Sequence, residues 1–409
     1  MNIILKSSLE LTGLIGIAFM FISGSAVNPM ANIGSKGAAI KDSIAIKNEI
    51  RLQNVLDTNI QMRLEEFSCV GASVVVIKEG KNIFKHNYGV KKLNTLNEIN
   101  DSTVFRLGSV SKGFAGILAA KLACEGLIDL ERPVVDYVPE FTMKAKSKDK
   151  IIRIKHLLSH STGLTEHAFS NLVDQNISMD KIMVLLNRQS PRDSTGKAYA
   201  YQNAVFAVIE RVIQSATKLS YAEALNQYLF KPLGMNRTSS DLASIIKDSN
   251  HCVGHKYRGQ HVGFAPIDLL PHYYNVASAG GINSTINDMQ LWLAAIMGDK
   301  PEVLSNCART LAFEPQINTS YDDKYFNKWP LTTSSNYGLG WRIIERDGYR
   351  LIYHGGLVNG FRAEIAYLPS QKIGIVVLFN SVCKYSNHVV PQILDIIKDG
   401  ANDCDNMSL

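Results

Sequence analysis

Strand-forming segments lie near both ends of the chain, and this arrangement limits the folds that the sequence can adopt. Near the start, GASVVVIKEGKNIFKHNYGV (71–90) holds two β-rich runs around a turn at Glu79-Gly80-Lys81. Near the end, LIYHGG, FRAEIAYLP and KIGIVVLFN are again strand-like, whereas residues 130–275 are mostly helix and loop. The sequence therefore predicts an α+β fold, in which helices flank an antiparallel sheet built from both chain ends and a mostly helical lobe is inserted over about 116–275.

The first 26 residues have the features of an export signal. Lys6 supplies a positive charge, Leu11–Ile22 is a short apolar core, and small residues precede a cleavage point after Ala26. We therefore expect an exported, periplasmic protein without a stable membrane span once the signal is cleaved. Because Glu10 is unusual in such a signal, an uncleaved inner-membrane anchor is the alternative interpretation. The predicted division is a signal peptide over 1–26, a linker (27–42) and N-terminal helix over 27–60, a main domain over 61–400 and a tail over 401–409.

The amino-acid composition argues against some kinds of binding partner and metal or redox centre. The chain has 409 residues, which favours two lobes, and a formal net charge of +6. This charge is spread along the chain, so we expect no nucleic-acid partner. Six cysteines are scattered without a C-x-x-C pair, which disfavours a zinc knuckle or a thioredoxin-type centre. One or two disulfides are compatible with export, but we expect most of the cysteines to be buried as small hydrophobic residues.

The pair Ser109 and Lys112 is the strongest candidate for catalytic chemistry. A serine hydroxyl becomes a good nucleophile when a base removes its proton, and a lysine three residues later in the first turn of a helix lies on the same face. The free N–H groups at a helix N-terminus also stabilise developing negative charge. Gly108 permits a tight turn before Ser109, and a long amphipathic helix follows.

Context selects this pair, because the bare pattern is common. Ser-x-x-Lys starts at Ser109, Ser147, Ser178, Ser194, Ser215, Ser244 and Ser381. Ser381 leaves a strong strand, but no apolar helix begins there, and the other copies lie in polar loops or on helix surfaces. The chain lacks G-x-S-x-G, H-E-x-x-H and P-loop motifs, which disfavours an α/β-hydrolase, a zincin and a nucleotide-binding enzyme. His156 and His160 have no third ligand beside them, so we expect a structural segment there rather than a metal site.

Several segments match one family in the same order. GASVVVIKEGK, YGVKKLNT and STVFRLGSVSKGF are followed by IRIKHLLSHSTGL, VASAGGINSTINDMQLWL and YGLGW. Together, over roughly residues 65–395, they resemble the serine β-lactamase and penicillin-binding-protein superfamily. The likeness is closest to its class C β-lactamase branch, with esterase and D-peptidase relatives. The resemblance implies a β-lactamase/transpeptidase-like fold and a hydrolase that forms an acyl-enzyme on its serine, without a metal or organic cofactor.

The resemblance implies roles for Tyr201 and Asn203 in Tyr-x-Asn. Tyr201 would join Lys112 in relaying protons, and Asn203 would bind the substrate amide. An apolar helix follows this copy directly, whereas a core tyrosine capped by Asn203 is the alternative interpretation. Other copies of Tyr-x-Asn start at Tyr273, Tyr325 and Tyr385.

His354-Gly355-Gly356 stands where the superfamily has Lys-Thr-Gly. The resemblance implies that this segment and Leu357 bind substrate, with the N–H groups of Leu357 and Ser109 forming the oxyanion hole. A histidine is charged only part of the time near neutral pH, which disfavours efficient β-lactam hydrolysis. A strand histidine satisfied by its neighbours is the alternative interpretation.

We predict a small-molecule or peptidoglycan-derived substrate, either a β-lactam or a D-amino-acid peptide. A carboxylesterase is the first alternative. A catalytically idle peptidoglycan-binding relative is the second, and the intact set of nucleophile, lysine, tyrosine and asparagine argues against it. The sequence does not predict an oligomeric state.

Overall fold

The computed structural model describes residues 29–143, 151–319 and 329–406, and within these ranges it describes side chains from residue 46 to residue 400. The predicted signal over 1–26 lies outside the described residues. In the part of the chain that is described, no helix combines the length and the apolar character that a bilayer span requires.

Strands and helices alternate in blocks along the chain. The strands are β1 (Gly71–Lys78), β2 (Lys81–Gly89), β3 (Phe105–Arg106), β4 (Gly254–Tyr257), β5 (Phe264–Ile267), β6 (Asn283–Ser284), β7 (Ile317–Asn318), β8 (Thr332–Tyr337), β9 (Arg342–Arg346), β10 (Tyr349–Val358), β11 (Phe361–Leu368) and β12 (Ile373–Phe379). The helices are α1 (Pro29–Glu66), α2 (Ser111–Cys124), α3 (Ile154–Leu158), α4 (Ser170–Asp174), α5 (Met179–Leu186), α6 (Asn203–Phe206), α7 (Ile209–Thr217), α8 (Tyr221–Leu225), α9 (Lys231–Leu233), α10 (Leu242–Lys247), α11 (Ala277–Gly280), α12 (Ile286–Met297), α13 (Asn306–Phe313) and α14 (Val389–Asn406).

Strands from the two chain ends pair in one eight-stranded sheet. Its order is β2-β1-β12-β11-β10-β9-β8-β7, and each pair is antiparallel. The turn between β1 and β2 has Glu79 and Gly80 at φ values of 51° and 77°, as a two-residue hairpin of this kind requires. The prediction of an α+β fold with an antiparallel sheet built from both chain ends is confirmed.

Both faces of the sheet are buried at β1. In β1, Val75 and Ile77 belong to a core shared with α2, α12 and the helical lobe. Val74 and Val76 belong to a second core that includes the apolar side chains of α14 and of the C-terminal half of α1. Because its side chains are buried on both faces, β1 is a nearly continuous apolar run instead of an alternating one.

Two predicted boundaries differ from the structure. Helix α1 begins at Pro29, so the predicted linker over 27–42 is largely helical. Proline suits the first position of a helix, and the alanines of this segment favour continuation, which offsets its glycines. Helix α14 runs to Asn406, beyond residue 400, where the main domain was predicted to end. A glycine within a helix costs only about 1 kcal/mol relative to alanine, so Gly400 does not end the helix, and most of the predicted 401–409 tail is helical.

The cysteines behave differently from the sequence-based expectation. Cys69 is bonded to Cys383 and Cys124 to Cys307, across sequence separations of 314 and 183 residues. Cys252 is a buried free thiol, as expected for most of the set. Pairing between positions so distant in sequence depends on the tertiary fold, so cysteine spacing alone does not predict it.

Candidate active site

Ser109 lies in a tight turn between β3 and α2. Residues Gly108–Val110 form a single 3₁₀ turn, and α2 begins at Ser111, so the predicted nucleophile lies directly before the helix rather than inside it. Gly108 has a φ of +53°, and a Cβ there would lie 2.7 Å from the backbone nitrogen of Leu357. Glycine therefore meets two demands at once, because it adopts this conformation and allows β10 to approach the turn.

Lys112 connects the turn to the helical lobe. Its Nζ lies 3.2 Å from Ser109 Oγ and donates to Asn203 Oδ1 and to the Ala279 carbonyl, each at 2.7 Å. Burial of the 0% exposed side chain, and then the positive charge of Arg342, hold the pKa of Lys112 well below its usual value. In the neutral form its two N–H groups are taken by the two carbonyl oxygens, so the nitrogen lone pair faces Ser109. Such a lysine is suited to accept the serine proton.

Tyr201 approaches the nucleophile from the helical lobe. Its hydroxyl donates to Ser109 Oγ at 2.9 Å, and its ring centre lies 4.7 Å from Lys112 Nζ. Asn203 begins α6, and its Nδ2 donates to the hydroxyl of Tyr273 at 3.3 Å. The structure therefore brings the residues of the Tyr-x-Asn motif and of the Ser-x-x-Lys motif into one hydrogen-bonded cluster.

Strand β10 forms the opposite wall of the site. A Cβ at Gly356 would lie 1.9 Å from the Leu107 carbonyl oxygen and 3.0 Å from the Ser109 nitrogen, so the strand packs directly against the nucleophile turn. The backbone nitrogen of Leu357 lies close to Gly108 in the same turn. The two N–H groups expected to bind an oxyanion thus come from segments in direct contact, while the Leu357 side chain is exposed.

His354 lies beneath this wall and is almost fully buried. Its Nδ1 lies 2.9 Å from the Gly355 carbonyl oxygen, so it donates there, and its Nε2 accepts from the Tyr337 hydroxyl at 2.8 Å. Burial, and then the charges of Arg342 and Lys112, hold the pKa of His354 well below its usual value. The side chain is therefore neutral near pH 7, and its two nitrogens already have partners within the protein.

Arg342 and Tyr337 belong to this site but were absent from the sequence prediction. The guanidinium carbon of Arg342 lies 5.8 Å from the Tyr201 ring centre and 5.7 Å from that of Tyr337. Tyr337 is the first residue of the YGLGW segment and Arg342 directly follows it, but this segment served in the sequence only as part of a family pattern. A signal was present, since Arg342 directly follows that segment, but its proximity to Tyr201 requires the tertiary structure.

His160, expected to be structural, packs against the ring of Tyr201. Its ring centre lies 4.3 Å from that of Tyr201, and its Nδ1 accepts from the Gln202 backbone N–H at 3.2 Å. Burial, and then the charge of Lys112, hold its pKa well below the usual value. His160 is thus a neutral support for the Tyr-x-Asn segment. Among the described residues, no group of three or more histidine, cysteine, aspartate or glutamate side chains could hold a metal ion.

The likeness to one protein family extends over most of the chain. A model of the Beta-lactamase family matches residues 56–391. The chain belongs to the β-lactamase family. This match includes every residue of the cluster around Ser109, and it confirms the resemblance to the superfamily of serine β-lactamases and penicillin-binding proteins, which are serine hydrolases.

Curated relatives of this β-lactamase-family chain are distant. It is 25% identical over 354 residues to "Protein flp" of Staphylococcus aureus (strain MW2) and 25% identical over 358 residues to "Unguisins hydrolase ungD'" of Aspergillus campestris. These alignments cover 84% and 83% of this chain. The chain spans 65% of the length of each of these relatives.

Solved structures share the fold of this β-lactamase-family member. An octameric penicillin-binding protein homologue from Pyrococcus abyssi superposes with a TM-score of 0.74 at 21% identity, covering 85% of this chain and 77% of that chain. A class C β-lactamase superposes with a TM-score of 0.67 at 22% identity, covering 85% of this chain and 96% of that chain. The predicted β-lactamase/transpeptidase-like fold is confirmed.

Proposed function

We propose that this protein cleaves an amide or an ester through an acyl-enzyme on Ser109. The observation that carries the proposal is the double contact to Ser109 Oγ, from Lys112 Nζ at 3.2 Å and from the Tyr201 hydroxyl at 2.9 Å. A serine held between a lysine of lowered pKa and a tyrosine has both a base for its proton and a path to return that proton. A protein that only binds its ligand has no need for this arrangement.

The proposed reaction has two halves. Ser109 Oγ attacks the carbonyl carbon while its proton passes to Lys112, and the N–H groups of Ser109 and Leu357 stabilise the negative oxygen. The proton then passes to the leaving amine or alcohol with the help of Tyr201, and the acyl group stays on Ser109. Water attacks the acyl-enzyme by the same route, returns a carboxylic acid and restores the serine.

The charge states of Arg342 and His354 bear on the class of substrate. β-Lactams and D-amino-acid peptides carry a carboxylate beside the bond that is cleaved, and a carboxylate requires a cationic partner. His354 is neutral, whereas Arg342 carries a permanent charge and lies beside the Tyr201 ring. We therefore propose that Arg342 attracts the carboxylate of a β-lactam or a peptidoglycan-derived D-peptide.

A carboxylesterase is the second candidate. The observation in its favour is again the neutral His354, whose nitrogens bond Tyr337 and Gly355 instead of facing a substrate anion. A simple ester needs the nucleophile, the base and the oxyanion donors but no carboxylate contact. The two candidates therefore differ in the substrate and share the acyl-enzyme on Ser109.

The test is intact-protein mass spectrometry on the wild type and on Ser109→Ala. Each is exposed briefly to a penicillin, to a D-Ala-D-Ala peptide or to p-nitrophenyl acetate. We expect an acyl mass gain in the wild type only. A penicillin adduct that decays indicates a β-lactamase, one that persists indicates penicillin-binding behaviour, and an adduct with the acetate alone indicates an esterase. Identical behaviour of the two proteins with every substrate would contradict the proposal and favour an idle, peptidoglycan-binding relative.

We also propose that the protein is exported to the periplasm. Two disulfides support this, because such bonds persist mainly in oxidising compartments outside the cytosol. Cell fractionation of the full chain, followed by mass measurement, tests the proposal. Export with cleavage predicts a periplasmic species that lacks the first 26 residues, whereas a full-length membrane-bound species would favour the uncleaved anchor.

A further inference from the structure

The part of β10 that contacts the nucleophile turn is held by a single neighbouring strand. Strand β9 pairs with β10 only as far as Arg342 and Tyr353. Over residues 354–358, β10 pairs with β11 alone among the described strands. The other edge of this segment faces the nucleophile turn, since a Cβ at Gly108 would lie 2.7 Å from the Leu357 nitrogen. The position of the segment therefore depends mainly on how β10 is joined to β11.

The pairing of these two strands directs the Leu357 N–H toward the nucleophile turn. The two-residue turn at 359–360 between β10 and β11 has φ values of 46° and 79°. Such a turn is closed by a hydrogen-bonded pair, here Val358 and Phe361. Hydrogen-bonded and non-hydrogen-bonded pairs alternate along antiparallel strands, so Leu357 and its partner Arg362 form a non-hydrogen-bonded pair. The N–H of Leu357 therefore points away from β11, as an oxyanion donor at this edge requires.

A buried cluster of three polar side chains joins β10 to β11 beside this segment. The Tyr353 hydroxyl of β10 donates to Glu364 Oε2 of β11, and Arg362 Nε donates to Glu364 Oε1. All three side chains are buried. In the strand register, Glu364 lies opposite Gly355 and Arg362 lies opposite Leu357. The cluster therefore extends along the same stretch of β10 that carries the expected oxyanion donor.

The two hydrogen bonds of this cluster act in different directions. Tyr353 lies opposite Ala366, so its bond to Glu364 runs diagonally from one strand to the other. A diagonal bond opposes sliding of β10 along β11. The bond from Arg362, two residues away on β11 itself, orients the carboxyl group that accepts the tyrosine proton. Hydrogen bonds to charged groups are strong, and the loss of a donor leaves a buried acceptor unpaired, so the cluster strongly favours one register of the two strands.

We propose that Tyr353, Glu364 and Arg362 are positioning residues that hold the Leu357 N–H at the oxyanion site. The proposal rests on the proposed acyl-enzyme reaction and adds to it three residues outside the sequence motifs. They act through the backbone of β10 instead of by contact with the substrate. The two oxyanion donors come from separate segments, so a small shift of β10 weakens the stabilisation of the developing negative charge more than it weakens substrate binding.

The first experiment compares Tyr353→Phe with Tyr349→Phe. Tyr353→Phe removes the hydroxyl but keeps the ring, which packs against Trp329 with ring centres 4.8 Å apart. We expect kcat for p-nitrophenyl acetate to fall by about tenfold with KM nearly unchanged, which is a part of the roughly 10²–10³-fold cost of losing one oxyanion donor completely. Tyr349 lies on the same strand, opposite Arg346 and outside the cluster, so Tyr349→Phe is the matched control and should leave kcat unchanged.

Two further measurements distinguish positioning from a general loss of stability. If the hydroxyl acts through the carboxyl group, the double variant Tyr353→Phe/Glu364→Gln should lower kcat no more than the more harmful single variant does. Phenylboronic acid forms a tetrahedral adduct with an active serine, so its Kd reports on the oxyanion site, and we expect Tyr353→Phe to raise that Kd by about tenfold. Urea unfolding checks that each variant is folded. Arg362→Lys, which keeps the charge but changes the donor, replaces any variant that is not folded and should show the same loss of kcat.

The outcomes separate this inference from the proposed function. Acyl adducts on Ser109 combined with wild-type kcat in a folded Tyr353→Phe protein would overturn the inference and leave the reaction intact. An equal loss of kcat in Tyr349→Phe, a change in KM alone, or additive losses in the double variant would also overturn it. If the wild type formed no adduct with any ester or amide tested, the acyl-enzyme reaction itself would be wrong, and the inference would fail with it.

Discussion

Arg342 controls the charge state of its neighbours in the candidate site. Its guanidinium lowers the pKa of Lys112 and of His354 by charge repulsion, in addition to the larger effect of burial. Both neighbours are therefore biased toward their neutral forms, which suits Lys112 to act as a base and leaves His354 as a hydrogen-bonding support for Tyr337. Burial and, to a smaller extent, the permanent charge of Arg342 thus disfavour a second cation beside the nucleophile.

Replacing Arg342 should therefore change the pH dependence of activity. In Arg342→Gln the pKa of Lys112 rises, so Lys112 stays protonated to a higher pH, and the acidic limb of the pH–kcat/KM profile moves to higher pH. At neutral pH, kcat/KM should fall by no more than about 10²–10⁴-fold, which is the usual contribution of a positioned base. The measurement is kcat/KM for a neutral ester between pH 5 and 9.

A matched control for this prediction is Arg346→Gln. Arg346 lies on the same strand and is equally buried, but it bonds Asp395 at 3.0 Å instead of facing the site. Its replacement should leave the acidic limb in place. An unmoved limb in Arg342→Gln, or the same displacement in both variants, would contradict the assigned electrostatic role.

At this scale, candidate residues could be selected from the sequence where they share a local pattern. Ser109 and Lys112 share one turn and one helix, and Tyr201 directly precedes the helix that presents Asn203, so context selected each pair from several copies of its motif. The structure brings both pairs into one cluster. Arg342 could not be selected in this way, because its contact with Tyr201 joins β9 to the helical lobe. The catalytic roles of the residues in these two pairs stay predictions until they are tested.

At the scale of elements, the contact between β10 and the nucleophile turn sets the geometry of the oxyanion site. In Gly356→Ala the added Cβ would meet the Leu107 carbonyl oxygen at 1.9 Å, so the strand must move away from the turn. The N–H groups of Leu357 and Ser109 would then separate. We expect kcat to fall by about 10²–10³-fold, as when one oxyanion donor is lost, with a smaller effect on KM.

Ester hydrolysis kinetics measure this effect, and Gly348→Ala provides the control. Gly348 lies in the turn between β9 and β10, and a Cβ there would meet nothing within 4 Å. Its substitution strains only its own turn, at φ +75°, and should leave kcat unchanged. Wild-type kcat in a folded Gly356→Ala protein would contradict the assigned role of this contact.

Helix α7 is tied to α11 by a partly buried carboxyl group. Glu210 Oε1 accepts from the Ser278 N–H at 2.8 Å and from its hydroxyl at 2.7 Å, and the next residue, Ala279, accepts from Lys112. Burial raises the pKa of Glu210 to about 7, although the Ser278 bonds and Arg211 oppose this. Burial, and then the charge of Glu210, raise the pKa of Tyr221. The carboxyl group therefore titrates near neutral pH in the folded protein.

This titration predicts a pH-dependent stability. The folded pKa of about 7 lies above the usual glutamate value of 4.5, so the folded state binds more protons between these values, and stability falls as pH rises through that interval. The full difference amounts to about 3 kcal/mol. Glu210→Gln keeps the acceptor oxygen and cannot ionise, so it should remove most of this decline in urea unfolding at pH 5 and pH 8. Glu302→Gln, at an exposed carboxylate, is the control, and equal declines in the wild type and Glu210→Gln would contradict the prediction.

On the scale of the whole molecule, the sheet could be predicted from the sequence, whereas the two disulfide bonds could not. Strand patterns at both chain ends required a sheet that joins them, and β1 does pair with β12. The order of the eight strands follows mostly from consecutive hairpins. In contrast, the bonds Cys69–Cys383 and Cys124–Cys307 depend on which segments meet after folding. The first joins the segments flanking the β1–β12 pair, and the second joins the end of α2 to α13.

The Cys69–Cys383 bond should contribute measurably to stability, because it closes a loop of 314 residues and so restricts the unfolded chain. Under oxidising conditions, we expect Cys69→Ala/Cys383→Ala to lower the free energy of unfolding by about 2–4 kcal/mol, as measured with urea. Under reducing conditions this bond is absent from both proteins, so their difference should shrink to what the loss of side-chain packing alone causes. The wild type serves as its own control across the two conditions. A difference that is the same with and without reductant would show that the bond does not stabilise the fold and that only packing of the two side chains does.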